Sequence, residues 1–193
     1  FTVYHHDLSP AEIDWFWGAI GAVRKADFEK AGGFDERYLG ASAEDMEFGK
    51  ALAAAGALIV YEPTILGAHA HNFTLTGMLK NDYMKAVLGT KLRLGGRLPK
   101  KAPGFAGARN LASIALLLAS LAAIFTPFPE AYFIFMVALV LVNLSYYRHF
   151  NRLTREVYGG SGFHVGLHWI QLLAIFAGAV AGVMGFILGR DTF

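Results

Sequence analysis

Three apolar runs, 111–128, 131–147 and 165–188, constrain this chain more than any other feature of its sequence. A helix needs about 20 apolar residues to cross the hydrocarbon core of a bilayer, within a range of roughly 17–25. All three runs fall in that range, the second at its lower edge. None contains Lys, Arg, Asp or Glu, so no ion path through them is expected. Thr126-Pro127-Phe128-Pro129-Glu130 joins the first two as a tight turn without a cation. Arg109 precedes the first run, and Arg148, Arg152 and Arg155 follow the second. That asymmetry predicts cytoplasmic 1–109 and 148–164, with the turn on the far side and the third run carrying the C-terminus outward. Tyr146, Tyr147 and Trp169 suit interfacial positions. Gly178, Ala179, Ala181, Gly182 and Gly185 give the third run a small-residue face for helix packing. The expectation is an all-α membrane region over 109–193 with about three transmembrane helices.

The stretch 73–108 differs in character. Phe73, Leu75, Met78, Leu79, Tyr83, Val87, Leu88 and Leu92 recur at roughly helical spacing among Lys80, Lys85, Lys91, Arg93, Arg97, Lys100 and Lys101, with Asp82 the one acid. A basic amphipathic helix of this kind reads as an interfacial segment on an anionic membrane surface, with membrane lipids as partners. The other reading is the solvated face of a globular helix. The formal charge of +2 is too small to point to nucleic acid, and none is expected as a partner. With no cysteine, disulfides and thiolate chemistry are excluded. The chain opens at Phe1 rather than Met, which suggests the C-terminal part of a longer protein.

Polar chemistry is therefore confined to 1–72. Ser9 and Pro10 can open a helix, and His5-His6 reads as a loop pair. Trp17-Gly18-Ala19-Ile20-Gly21-Ala22-Val23 alternates small and apolar residues, as a buried strand approached closely by a neighbour would. Lys25–Ala31 is a short helix stopped by Gly32-Gly33, one of which supplies a left-handed conformation; Phe34 packs inward and Asp35-Glu36 begins a turn. Residues 43–56 form a helix with Glu44-Asp45 in its first turn, where the helix dipole favours negative charge. That placement explains the pair without chemistry, but it also suits a general base. Ala57–Tyr61 is a buried strand closed by Glu62-Pro63. His69 and His71, two apart on an extended segment, face one side. They read either as a metal or phosphate pair or as loop histidines, since two ligands alone do not make a metal site.

Taken together, Gly18-Ala19, Arg24, Phe28, Gly32-Gly33-Phe34-Asp35-Glu36, Glu44-Asp45, Tyr61-Glu62-Pro63 and His69 resemble the C-terminal half of the catalytic domain of family 2 glycosyltransferases, over about residues 15–71. The resemblance implies an α/β fold, the C-terminal part of a GT-A fold, followed by the membrane helices. It implies inverting transfer from a nucleotide-sugar donor to a lipid-linked (polyprenyl phosphate) or glycan acceptor. Asp45 would be the general base and Glu44 would orient the site. Trp17, Gly18, Ala19, Arg24 and His71 would bind substrate, and His69 would approach the metal or diphosphate. A divalent cation (Mg or Mn) would take most of its ligands from elsewhere. The chain departs from the family pattern in carrying Glu47, Phe48 and Lys50 after Glu44-Asp45. It has no Gln-x-x-Arg-Trp, the signature of processive synthases, and no Asp-x-Asp, so donor binding by this chain alone is not expected. The alternatives are a processive polysaccharide synthase and a non-catalytic membrane scaffold or partner-binding subunit.

Overall fold

The computed structural model describes residues 12–38, 43–62, 64–65, 74–98, 108–158 and 163–189. His5, His6, Ser9, Pro10, His69 and His71 lie outside them. The first part of the fold is small and mixed. Strand β1 (Glu12–Ile13) pairs antiparallel with β2 (Ile59–Val60), Ile13 opposite Ile59. Helices α1 (Lys25–Ala31) and α2 (Glu44–Ala54) pack on each other between the strands. Gly32 and Gly33 both take positive φ, at 87° and 71°, ending α1 as the sequence requires. Ile13, Trp15, Phe48 and Leu52 are buried as the core of this part.

Two strand expectations are corrected here. Residues 17–23 are a turn followed by an exposed irregular segment, with the Ile20 amide donating to the Trp17 carbonyl at 3.2 Å. Glycine there serves a turn and a ring contact instead: a Cβ on Gly21 would sit 2.6 Å from Phe16 Cζ. The 57–61 strand is only two residues long, and Leu58 and Val60 are exposed. Glu12, in the stretch that Ser9 and Pro10 would open as a helix, is instead in β1.

The second part is helical. Helix α3 (Leu75–Leu94) is opened by Thr74, whose hydroxyl accepts from the Gly77 amide at 3.1 Å. Then come α4 (Ala108–Ala123), α5 (Ala131–Val142), α6 (Leu144–Tyr158) and α7 (Phe163–Ile187). The first apolar run stops being helical at Ala123, where Thr126, Pro127 and Pro129 make the turn into α5. The second run is broken: α5 and the start of α6 meet at a 56° bend at Asn143. The cause is local. The Asn143 side-chain amide donates to Leu139 O at 2.9 Å, the carbonyl its own backbone amide would take in a continuous helix, and that backbone amide bonds to Val140 O instead. Among the described helices, α7 alone is long and apolar enough to cross a membrane by itself, and the bent α5–α6 pair passes the same test together.

Leu117, Leu139 and Leu172 join α4, α5 and α7 in one apolar cluster. Polar ties fix the helix register beside it. Asn143 donates to Ser113 Oγ at 2.8 Å, and the Tyr147 hydroxyl pairs with His168 Nδ1 at 2.9 Å, all buried. The small-residue face of the third run does pack, and its partner is α3: Gly178 meets the Tyr83 carbonyl and Gly182 the Val87 carbonyl. The apolar side of α3 is thereby occupied in part by protein.

Candidate functional site

The N-terminus of α2 carries the site. Ala43 precedes the helix without a side-chain cap, so the carboxylates of its first turn, Glu44, Asp45 and Glu47, meet the positive end of the helix dipole. Asp45 is held by two backbone donors: the Met46 N–H reaches Oδ1 at 2.7 Å and the Gly18 N–H reaches Oδ2 at 3.2 Å. Residue 18 lies directly against Asp45, since a Cβ on Gly18 would stand 3.4 Å from Asp45 Cβ, in van der Waals contact. One helical turn on, Gly49 lets the Trp15–Phe16 backbone cross directly over α2; a Cβ there would overlap the Phe16 nitrogen and the Trp15 carbonyl carbon. Phe16, Phe28, Phe34 and Phe48 then interlock, with ring centroids 4.5–6.5 Å apart. The aromatic cluster fixes the 16–19 turn against α2 and so sets the Gly18–Asp45 distance.

Burial raises the Asp45 carboxyl above the usual aspartate range, and the Glu44 charge pushes the same way. The Gly18 and Met46 N–H groups and the Lys85 ammonium pull it down without cancelling the rise. A carboxylate fixed by two donors, with a raised proton affinity, can accept a proton from a hydroxyl. Glu44 stands next to it in the same turn. Trp17, Gly18 and Ala19 form the turn over Asp45, whereas Arg24 is exposed at the head of α1, as the residue preceding its first turn.

Residues outside the sequence-derived set also border this site. Lys85, on α3, acts electrostatically on both Asp45 and Asp82. Arg97, just past α3, pairs with Glu47 through Nε and through a second nitrogen at 2.8 Å, and reaches Asp35 at 3.4 Å. Tyr38 OH donates to the same Glu47 at 2.6 Å, and the Lys50 ammonium donates to Gly96 O. Glu47, a departure from the family pattern, therefore ties α2 to the Gly-Gly-Phe-Asp-Glu turn and to the end of α3. Asp35 is pulled down to about 2, first by its hydrogen bond from the Arg37 side chain. No local signal marks Gly49, Lys85 or Arg97, because each acts across a long sequence separation. Among the described residues no group of three or more His, Asp or Glu side chains is placed to hold a metal ion. Glu44 and Asp45 alone do not suffice to hold one.

No family model and no solved structure matches the chain. It is similar to an N-acetylglucosaminyl-diphospho-decaprenol L-rhamnosyltransferase of Mycobacterium tuberculosis, 40% identical over 76 residues, which is 37% of this chain and 24% of that protein. It is also similar to a validoxylamine A glucosyltransferase of Streptomyces hygroscopicus subsp. jinggangensis, 41% identical over 58 residues, covering 29% and 14% of the two chains. Both relatives are glycosyltransferases, and the chain spans a quarter or less of their length.

Proposed function

We propose that this chain is the acceptor-side, C-terminal portion of a membrane-bound inverting glycosyltransferase, with Asp45 as general base. The observation that carries the reading is the Asp45 carboxylate, fixed by the Gly18 and Met46 amides and raised in proton affinity by burial. In the proposed step the acceptor hydroxyl oxygen attacks the anomeric carbon of a nucleotide-sugar donor. The bond from that carbon to the diphosphate oxygen breaks, the diphosphate leaves with its electron pair, and the hydroxyl proton passes to Asp45. Glu44 orients the site, and the turn of Trp17, Gly18 and Ala19 borders the cleft. Similarity to an enzyme whose name specifies a diphospho-decaprenol acceptor supports a lipid-linked acceptor. A divalent cation, Mg or Mn, would take its ligands outside the described residues, His69 among them. The catalytic part belongs on the cytoplasmic side of the cell membrane, by the distribution of Arg and Lys around the apolar runs.

The test is Asp45→Asn in the whole enzyme, assayed for transfer of labelled sugar to a polyprenyl-diphosphate-linked acceptor. The rate should fall by about 10²-fold or more, with the KM for donor within about twofold, as expected when an interaction specific to the transition state is lost. An unchanged rate removes Asp45 as the base and leaves the membrane scaffold as the reading.

A further inference from the structure

Helix α7 is long and apolar enough to cross a bilayer alone, but a charged helix runs along it. Contacts between α3 and α7 climb together in both sequences. Gln171 donates to Asp82 Oδ2 at 3.0 Å, Gly178 lies on Tyr83 O, a Cβ on Gly182 would stand 2.6 Å from Val87 O, and one on Gly185 would stand 2.8 Å from Lys91 Cε. The two helices therefore run parallel, side by side, over 14 residues of α7, or about 20 Å. Helix α3 carries Lys80, Lys85, Lys91, Arg93 and Asp82. Its C-terminal end is bound to α2 through Gly96 and Arg97. If α7 crossed the bilayer, those charges would enter the hydrocarbon with it, which is strongly unfavourable.

The other side of α7 is bare. Leu173, Phe176, Val180, Met184 and Ile187 are all exposed. At 100° per residue they fall on the face opposite Gly178 and Gly182. We infer that α7 lies in the plane of the membrane, its bare stripe sunk into one leaflet, with α3 on its aqueous side at headgroup level. The occupant of the stripe is lipid, and the cations of α3 favour anionic headgroups. This replaces the outward crossing expected for the third apolar run. It rests on no part of the catalytic reading, and transfer activity neither supports nor overturns it.

The chain has no cysteine, so single cysteines can be placed at will. Leu173→Cys, Val180→Cys, Met184→Cys and Ile187→Cys would each carry an environment-sensitive fluorophore, in the full chain reconstituted into phosphatidylcholine–phosphatidylglycerol vesicles. Lipid-borne quenchers at shallow and deep acyl positions report the depth of each label. All four should sit at one shallow depth, about 5–10 Å into the headgroup and acyl boundary. A crossing helix instead changes depth by about 1.5 Å per residue, or roughly 20 Å from 173 to 187, and that gradient would overturn the inference. So would labels that no lipid quencher reaches, because the stripe would then be covered by protein.

Discussion

The Gly49→Ala variant probes how the fold sets the site. A Cβ at 49 would overlap the Phe16 nitrogen and the Trp15 carbonyl carbon, both backbone atoms that cannot rotate away. Restoring a carbon contact distance of ~3.5 Å requires the 15–16 segment to retreat by about 1 Å. That segment is held from the other side, since Trp15 is 1% exposed and Phe16 is wedged among Phe34 and Phe48. Overpacking a filled core costs about 1–3 kcal/mol, and backbone on the far side of the clash places this case near the top, at about 3 kcal/mol. The same retreat carries Gly18 away from Asp45. A hydrogen bond that starts at 3.2 Å is lost within a few tenths of an ångström. Without that donor the Asp45 carboxyl rises further, so the variant should lose transfer even at temperatures where it stays folded. Unfolding followed by tryptophan fluorescence, alongside a transfer assay, measures both effects. Gly89→Ala is the control: beyond the backbone of its own helix nothing lies within 4 Å of a Cβ there, and replacing a mid-helix glycine should stabilise by roughly 0.5–1 kcal/mol. If Gly49→Ala melts with Gly89→Ala and keeps its activity, the argument that Gly49 sets the Gly18–Asp45 contact is refuted.

Lys85→Met should move the acidic limb of the pH–rate profile upward. The base proposed here would work deprotonated, burial already holds Asp45 above the ordinary aspartate value of about 3.9, and Lys85 is one of the groups lowering it. A limb that stays in place or moves down would show that Lys85 does not act on Asp45. Arg97→Gln leaves the half-buried Glu47 with only part of its compensation and should destabilise by about 1–2 kcal/mol, discounted for the partial exposure of the pair. Arg97→Lys should recover only part of this, because an ammonium cannot reproduce the forked contact; denaturant unfolding of both variants checks the order. Gly182→Leu drives a side chain against Val87 O and Thr90 and should detach α3 from α7, read as faster proteolysis between them with the α4–α5 hairpin unaffected.

The features legible from neighbouring residues are local and repetitive. The left-handed glycines after α1 and α2, the helical 44–54 segment with its acidic first turn, the helix over 75–94 and the small-residue seam of the last helix all follow from neighbouring residues. The resemblance to glycosyltransferases, which the similarity of short segments to two named transferases supports, lay in the spacing of a few residues. Tertiary structure decided the rest. Whether Trp17–Val23 is a strand or a turn depended on the Phe16 ring and on Asp45, 27 residues beyond Gly18. The second apolar run reads as one helix until the Asn143 side-chain amide donates to both Ser113 Oγ and Leu139 O. Arg97 looks like a membrane-surface cation until the fold sets it against Glu47, and Lys85 on α3 acts on Asp45 as well. The third run matches a spanning helix in length and apolarity, and only its partner shows that a charged helix accompanies it. Local propensity fixes which segments are helices, but the side that each presents, and to what, is set by contacts between residues far apart in the chain.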